Sequence, residues 1–311
     1  MHSKVFIALS NFAQTNSRPL NLLKEAGHAV HLNTTGKRLN RDELIAQASG
    51  DDAVIAGLES YDAKALNHLP NLKCISRCGV GLDNVDMALA KQKGIAVLNT
   101  PDVVIQPVAE LTLAMIFDLL RKVTAHTELM RQNQWERQTG WQLAGKNVGV
   151  IGLGRIGRKV AELLGKLDTQ VCGYDINPDP TWAKTHQVNV VTLEELLKES
   201  DIVTLHISPG AQIPFCLGST QINQMKKGSF LINTARGALV DEKALMTALE
   251  NGHLAGAALD VYAQEPYNGP LSRIPNVILT PHIATLTYES RLAMELEAVK
   301  NLLSFFQKGS S

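Results

Sequence analysis

Three polar residues close apolar runs in the second half of the chain: Arg236 follows SFLINTA, Glu265 follows AALDVYAQ, and His282 follows NVILTP. Guanidinium, carboxylate and imidazole are the groups that hold anions and move protons. Singly, each has a bland explanation: a solvated charge in a turn, a surface residue before proline, a capping histidine. Their joint placement is harder to dismiss, because open α/β sheets hold ligands at the carboxyl ends of their strands.

A second constellation lies upstream. Gly152, Gly154 and Gly157 follow the apolar run NVGVI and open the amphipathic run IGRKVAELLGKL. In a strand, turn and helix of this kind the first glycine permits the tight turn, the second lets the backbone approach a pyrophosphate, and the third lets helix and strand pack closely. About twenty residues further on, QVCGY ends in Asp175, the spacing at which a carboxylate accepts from ribose hydroxyls and repels a 2′-phosphate. The cofactor expected is therefore NAD rather than NADP.

The elements that must position these groups alternate from end to end, apolar runs with helical patterns, and the class expected is α/β with parallel sheets. Strands are predicted at residues 4–9, 29–32, 53–56, 74–76 and 96–98, then at 147–152, 170–174, 202–206, 229–233, 255–260 and 277–280. The later six make a full dinucleotide-binding sheet. Between the two sets, a long helix starts near Pro107 and runs through VAELTLAMIFDLLRKV, followed by WERQTGWQLAGK, which has neither period and reads as a loop and a joint between domains. A last helix, roughly 287–306, is expected to return to the first domain, whose small sheet has too few helices of its own.

Composition narrows the partners. Thirty basic residues balance thirty acidic ones, so no net field recommends nucleic acid or an anionic membrane. The longest greasy run, VAELTLAMIFDLL, is too short for a membrane span and carries Glu110 and Asp118. The N-terminus lacks the apolar core of a secretory signal. Four cysteines, Cys74, Cys78, Cys172 and Cys216, show neither the density of a disulfide scaffold nor zinc-ligand spacing, so a cytoplasmic protein with free thiols and no metal is expected.

GLGRIG with Asp175, NTARGALVD (233–241), DVYAQEP (260–266) and TPHIAT (280–285), in this order, resemble the D-isomer-specific 2-hydroxyacid dehydrogenases; so do SRCGVGLDNVD (76–86) and VAELTLAMI (108–116). The resemblance spans nearly the whole chain. It implies two Rossmann-like doubly wound domains, with the coenzyme domain (100–284) inserted into a substrate domain (1–99 plus 285–311). It implies that Arg236 holds the substrate carboxylate and 2-oxygen, that His282 is the general acid for ketone reduction, and that Glu265 orients the imidazole. Arg77 and the backbone amides of Val80 and Gly81 are the implied substrate contacts. Gly152, Gly154, Arg155, Ile156, Gly157, Asp175, His206, Thr234, Ala235 and Asp260 are the implied NAD contacts.

Within that family, RCGVGLDNVD and WERQ look like the phosphoglycerate dehydrogenases, in a short form without their regulatory domain. The first expectation for substrate is 3-phosphoglycerate, and the runner-up hydroxypyruvate or glyoxylate. Two departures bear on the choice: AGLES (56–60) stands where those enzymes carry Arg-Ser, and Val104 where they carry asparagine. A third, HISPGAQIPFCLG (206–218), replaces a Leu-Pro-Leu-Thr type of loop, with Ile207 for a common threonine. A non-enzymatic NAD sensor like the C-terminal-binding corepressors is the alternative of another class; against it stands the lack of disordered or basic extensions. Trp135 and Trp141 either cover the neighbouring subunit of a homodimer or pack on their own domain.

Overall fold

The computed structural model describes residues 3–207 and 215–308. The chain divides into two compact units, one taking the chain up to Val104 and again from Leu286, the other Ile105–Thr285.

In the first unit, strands β1 (Lys4–Ile7), β2 (Ala29–Leu32), β3 (Ala53–Ala56), β4 (Cys74–Arg77) and β5 (Ala96–Leu98) form a parallel sheet in the order β2-β1-β3-β4-β5. The inner strands β3 and β4 are buried at every residue, as strands covered on both faces must be, whereas the edge strand β2 is largely exposed. Local chemistry starts the covering helices. Asn40 caps Arg41–Ala48 by accepting from the Glu43 N–H at 2.9 Å, while the Glu43 carboxylate accepts from the Asn40 N–H at 2.9 Å. The C-terminal helix, Tyr288–Lys308, supplies the cover the small sheet lacks: Met294, Ala298, Val299 and Leu302 are buried, and Ser76 of β4 donates to the Ala298 carbonyl at 2.7 Å.

In the second unit, seven parallel strands run in the order β12-β11-β10-β9-β6-β7-β8: β6 (Asn147–Ile151), β7 (Gln170–Tyr174), β8 (Asn189–Val190), β9 (Ile202–Leu205), β10 (Ser229–Asn233), β11 (Leu254–Leu259) and β12 (Val277–Leu279). The strand order reverses between β6 and β9, which sets the crevice of a doubly wound sheet there. One face packs Val148, Val150, Val160, Leu164, Ile116 and Leu120; the other packs Ile151, Leu196, Val203, Leu205, Leu231 and Leu245.

Three features depart from the sequence expectation. Strand β8 is a seventh strand of two exposed residues, too short and too polar to show an apolar period. The long helix Ile105–Arg121 stops at Lys122, whose φ of +53° breaks it, and a second helix, Val123–Arg131, starts with Asp118 accepting from the Thr124 N–H at 2.8 Å. The expected joint around 135–146 lies inside the second unit, because its backbone is tied to the preceding helix: the Trp141 N–H donates to the Leu120 carbonyl at 2.8 Å.

Candidate active site

The β6 turn has a geometry that fits a phosphate. Gly152 has φ +96°, a conformation that L side chains rarely adopt. A side chain on Gly157 would place its Cβ 1.8 Å from the Gly152 carbonyl oxygen, so only glycine lets the helix Arg155–Gly165 pack this closely. Gly154 is the opposite case: a Cβ there would meet no protein atom within 4 Å. It faces open space, and it has no side chain to cap the first-turn N–H groups, which with the helix dipole suit an anion. Arg155 is exposed and Ile156 half-buried in that first turn. Asp175, just past β7, accepts from the Leu153 N–H at 2.7 Å through one oxygen and from the Asn177 N–H at 2.8 Å through the other. Each oxygen keeps a lone pair for a ribose hydroxyl. These residues fit the adenosine and pyrophosphate of NAD.

One brace of this turn escaped the sequence reading. Arg158 donates from Nε to the Leu153 carbonyl at 2.9 Å and from Nη1 to Asp179 at 3.2 Å, and lies over the Trp182 ring. An arginine inside an amphipathic helix carries no sequence signal that separates it from a solvated charge.

The next strand ends bring the other expected residues to the same carboxyl edge. His206, after β9, is buried; its Nε2 lies 2.9 Å from the Thr204 hydroxyl, and burial pushes its pKa down to about 3. After β10, Asn233 braces the turn that carries Thr234, Ala235 and Arg236: its Oδ1 accepts from the Ala235 N–H at 3.0 Å and its Nδ2 donates to the Arg236 carbonyl at 2.8 Å. After β11, the fully buried Asp260 accepts from the Thr280 hydroxyl and from the N–H groups of Ile283 (2.8 Å) and Ala284 (2.9 Å). Burial pushes the Asp260 carboxyl up, and those three donors oppose it.

Asp260 thus clamps the segment that carries His282, which takes φ +55°, a strained conformation for a non-glycine residue. His282 Nδ1 lies 2.9 Å from Glu265 Oε2, and Glu265 Oε1 accepts from the Tyr262 N–H at 3.3 Å. With Nδ1 committed to a carboxylate, Nε2 is the nitrogen left for a substrate. Among the described residues, no cluster of His, Cys, Asp or Glu could hold a metal.

The first unit holds the remaining three. Arg77, the last residue of β4, is buried, and its Nη1 donates to the Cys78 carbonyl at 3.2 Å. Val80 and Gly81 are half-buried in the turn after it, which Thr100 and Asn99 brace: the Gly79 N–H donates to the Thr100 hydroxyl at 2.8 Å, and Asn99 Nδ2 donates to the Val80 carbonyl at 2.8 Å. The unusual 206–218 loop lies outside the described residues over 208–214.

Residues 113–284 match the family described as D-isomer specific 2-hydroxyacid dehydrogenase, NAD binding domain. The chain is 37% identical over 297 residues to a glyoxylate reductase of Thermofilum pendens, covering 92% of this chain and 87% of that one. It is 36% identical over 271 residues to a D-3-phosphoglycerate dehydrogenase of Archaeoglobus fulgidus, covering 86% of this chain and 51% of that one. Among solved structures, the D-lactate dehydrogenase of Aquifex aeolicus, complexed with NAD and lactic acid, superposes with a TM-score of 0.87 at 27% identity, covering 98% of this chain and 96% of that one. Two parallel-sheet units, a dinucleotide turn followed by a carboxylate, and a Glu–His pair beside an arginine turn go with these matches: the chain belongs to the D-isomer-specific 2-hydroxyacid dehydrogenases and is an NAD-dependent oxidoreductase acting on CH–OH groups.

Proposed function

We propose that the protein reduces a small unphosphorylated 2-keto acid, glyoxylate or hydroxypyruvate, to the 2-hydroxy acid. The hydrogen-bonded pair Glu265–His282 carries the reading as a dehydrogenase. Bound nicotinamide supplies the hydride that reaches C2. Arg236 forks onto the carboxylate and the 2-oxygen, which a planar guanidinium fits better than an ammonium. His282 Nε2 gives its proton to the C2 carbonyl oxygen as the hydride arrives, and Glu265 holds the ring in the required orientation.

The substrate choice rests on the segment after β3. Where the resemblance expects Arg-Ser, this chain has Glu59, buried at 3% exposure, whose carboxylate accepts from the Gly57 N–H at 2.8 Å. Where it expects asparagine, Val104 is buried. A buried carboxylate and a valine are poor hosts for a phosphate dianion. The similarity to glyoxylate reductases points the same way. Phosphohydroxypyruvate is the second reading, favoured by RCGVGLDNVD with Arg77 and by the similarity to phosphoglycerate dehydrogenases.

The same proposal extends to assembly and location. The helix Val123–Arg131 buries none of its residues, and Phe117, Val123, Met130 and Trp135 are exposed, Trp135 at 81%. Phe117 also lines a depression of ≈ 530 Å³ together with Leu120, Arg121, Trp141, Gln142 and Leu143. Exposed large apolar side chains on this helix and the segments next to it in sequence support a homodimer. Trp141 packs edge-on against Phe230 of its own unit at 5.2 Å and is the less exposed tryptophan of the pair, Trp135 the more exposed. Four free thiols support a reducing, cytoplasmic setting, and no helix among the described residues is long and apolar enough to cross a membrane.

Steady-state rates with NADH against glyoxylate, hydroxypyruvate, pyruvate and phosphohydroxypyruvate test the reading. The expected result is a kcat/KM for glyoxylate or hydroxypyruvate at least about tenfold above phosphohydroxypyruvate, and a loss of about 10²- to 10⁴-fold in kcat for His282→Ala. A preference for phosphohydroxypyruvate would move the protein to the second reading. Silence across the panel with NADH bound would bring the sensor forward.

A further inference from the structure

The sequence VAELTLAMI has no part in the anion and proton chemistry above, yet Thr112 within it is fully buried in the second unit. Its Oγ1 lies 2.8 Å from the Val108 carbonyl oxygen and 3.0 Å from Thr234 Oγ1. A carbonyl can only accept, and a threonine hydroxyl has one proton. Thr112 therefore spends its proton on Val108, and Thr234 must donate to Thr112. The relay fixes the orientation of the Thr234 hydroxyl.

Thr234 stands two residues before Arg236. The Asn233 bonds brace that turn against itself; the Thr112 bond anchors it to a separate helix. A turn braced only internally can still rock as a body, and a displacement of about 1 Å at a substrate-holding group costs about a hundredfold in rate. We propose that Thr112 is a positioning residue for Arg236, and that it acts through its hydroxyl and not through its methyl. The inference rests on the reading of Arg236 as the substrate carboxylate's partner.

Two near-isosteric variants separate the two halves of the side chain. Thr112→Val keeps the shape and removes the relay, leaving the buried Thr234 hydroxyl without its acceptor; Thr112→Ser keeps the relay and removes a methyl. With the full chain, NADH and the best keto acid of the panel, Thr112→Val is expected to raise the KM for the keto acid about tenfold or more, while NADH affinity by fluorescence titration changes by about twofold at most. Thr112→Ser is expected to stay within about twofold of the parent protein on both.

The reverse ranking, with Ser impaired and Val intact, would mean that packing alone keeps Thr112 and would overturn the proposal, as would two silent variants. If Thr112→Val does not fold, Thr234→Val cuts the same bond from the other end and is expected to show the same rise in KM. Where both fold, the double variant should raise the keto-acid KM no further than either single one, since the Thr112–Thr234 bond is the one both cut; additive rises in KM would also overturn the relay. Arg236→Gln is the control. If it leaves the keto-acid KM unchanged, the reading of Arg236 fails and the positioning role falls with it. If it raises KM while the threonine variants do nothing, only the relay is lost.

Discussion

A proton donor has to be aimed, and the second unit holds His282, the proposed donor, in one orientation. Glu265 holds its Nδ1, and Asp260 ties down the two residues that follow it, which keeps a left-handed backbone in place. His206 is a histidine of the opposite kind. Its burial keeps it neutral in the folded protein down to about pH 3, whereas the unfolded chain protonates it near the ordinary histidine value. The unfolded state therefore gains a proton first as pH falls, and the contribution of His206 to stability is lost as pH drops from roughly 6.5 toward 3. Denaturant melts at pH 7, 5.5 and 4.5 should show His206→Gln losing less stability on acidification than the parent; parallel losses would mean that the imidazole is not held neutral. At this scale Arg236, Glu265 and His282 were legible as candidates because each closes an apolar run. Thr112 and Arg158 were not, because a hydroxyl or a guanidinium inside a helical pattern says nothing about its partner.

At the scale of elements, the β6 turn separates a glycine kept for the fold from one kept for the ligand. Gly157→Ala would drive a methyl into the Gly152 carbonyl, backbone that cannot step aside, and a loss of about 3 kcal/mol or more is expected, seen as a lowered melting temperature. Gly154→Ala has open space before it and should melt with the parent, while the added methyl would stand where the pyrophosphate is expected and is predicted to weaken NADH by about tenfold or more by fluorescence titration. Equal NADH affinity in Gly154→Ala would remove the cofactor from this turn. The buried strands of both sheets stood out in the sequence because buried parallel strands are continuous apolar runs, and the exposed β8 did not. The helix break at Lys122 did not, since no glycine or proline marks it and the Asp118 cap becomes visible only once the turn has formed.

For the molecule as a whole, equal numbers of basic and acidic residues provide little long-range repulsion between copies, and the exposed face of Phe117, Val123, Met130 and Trp135 provides something to bury. Sedimentation is expected to give the mass of two chains, and Trp135→Glu to shift it toward one with the melting temperature of the isolated chain little changed, because the side chain supports nothing within its own unit. A parent protein that sediments as a single chain would discard the dimer.

The sequence by itself determined the class of this protein: alternating apolar runs and helical patterns dictate parallel sheets, and glycines, Asp175, Arg236, Glu265 and His282 sit where such sheets hold ligands. These are local signals, set by period and by spacing within one strand and its following turn. What only the tertiary structure decided are the partners across long sequence distances: Asp260 with the segment after His282, Thr112 with Thr234 across 122 residues, Ser76 with a carbonyl of the last helix. Hydrogen bonds depend on distances of a few tenths of an ångström, and only packing of the whole unit brings such residues that close.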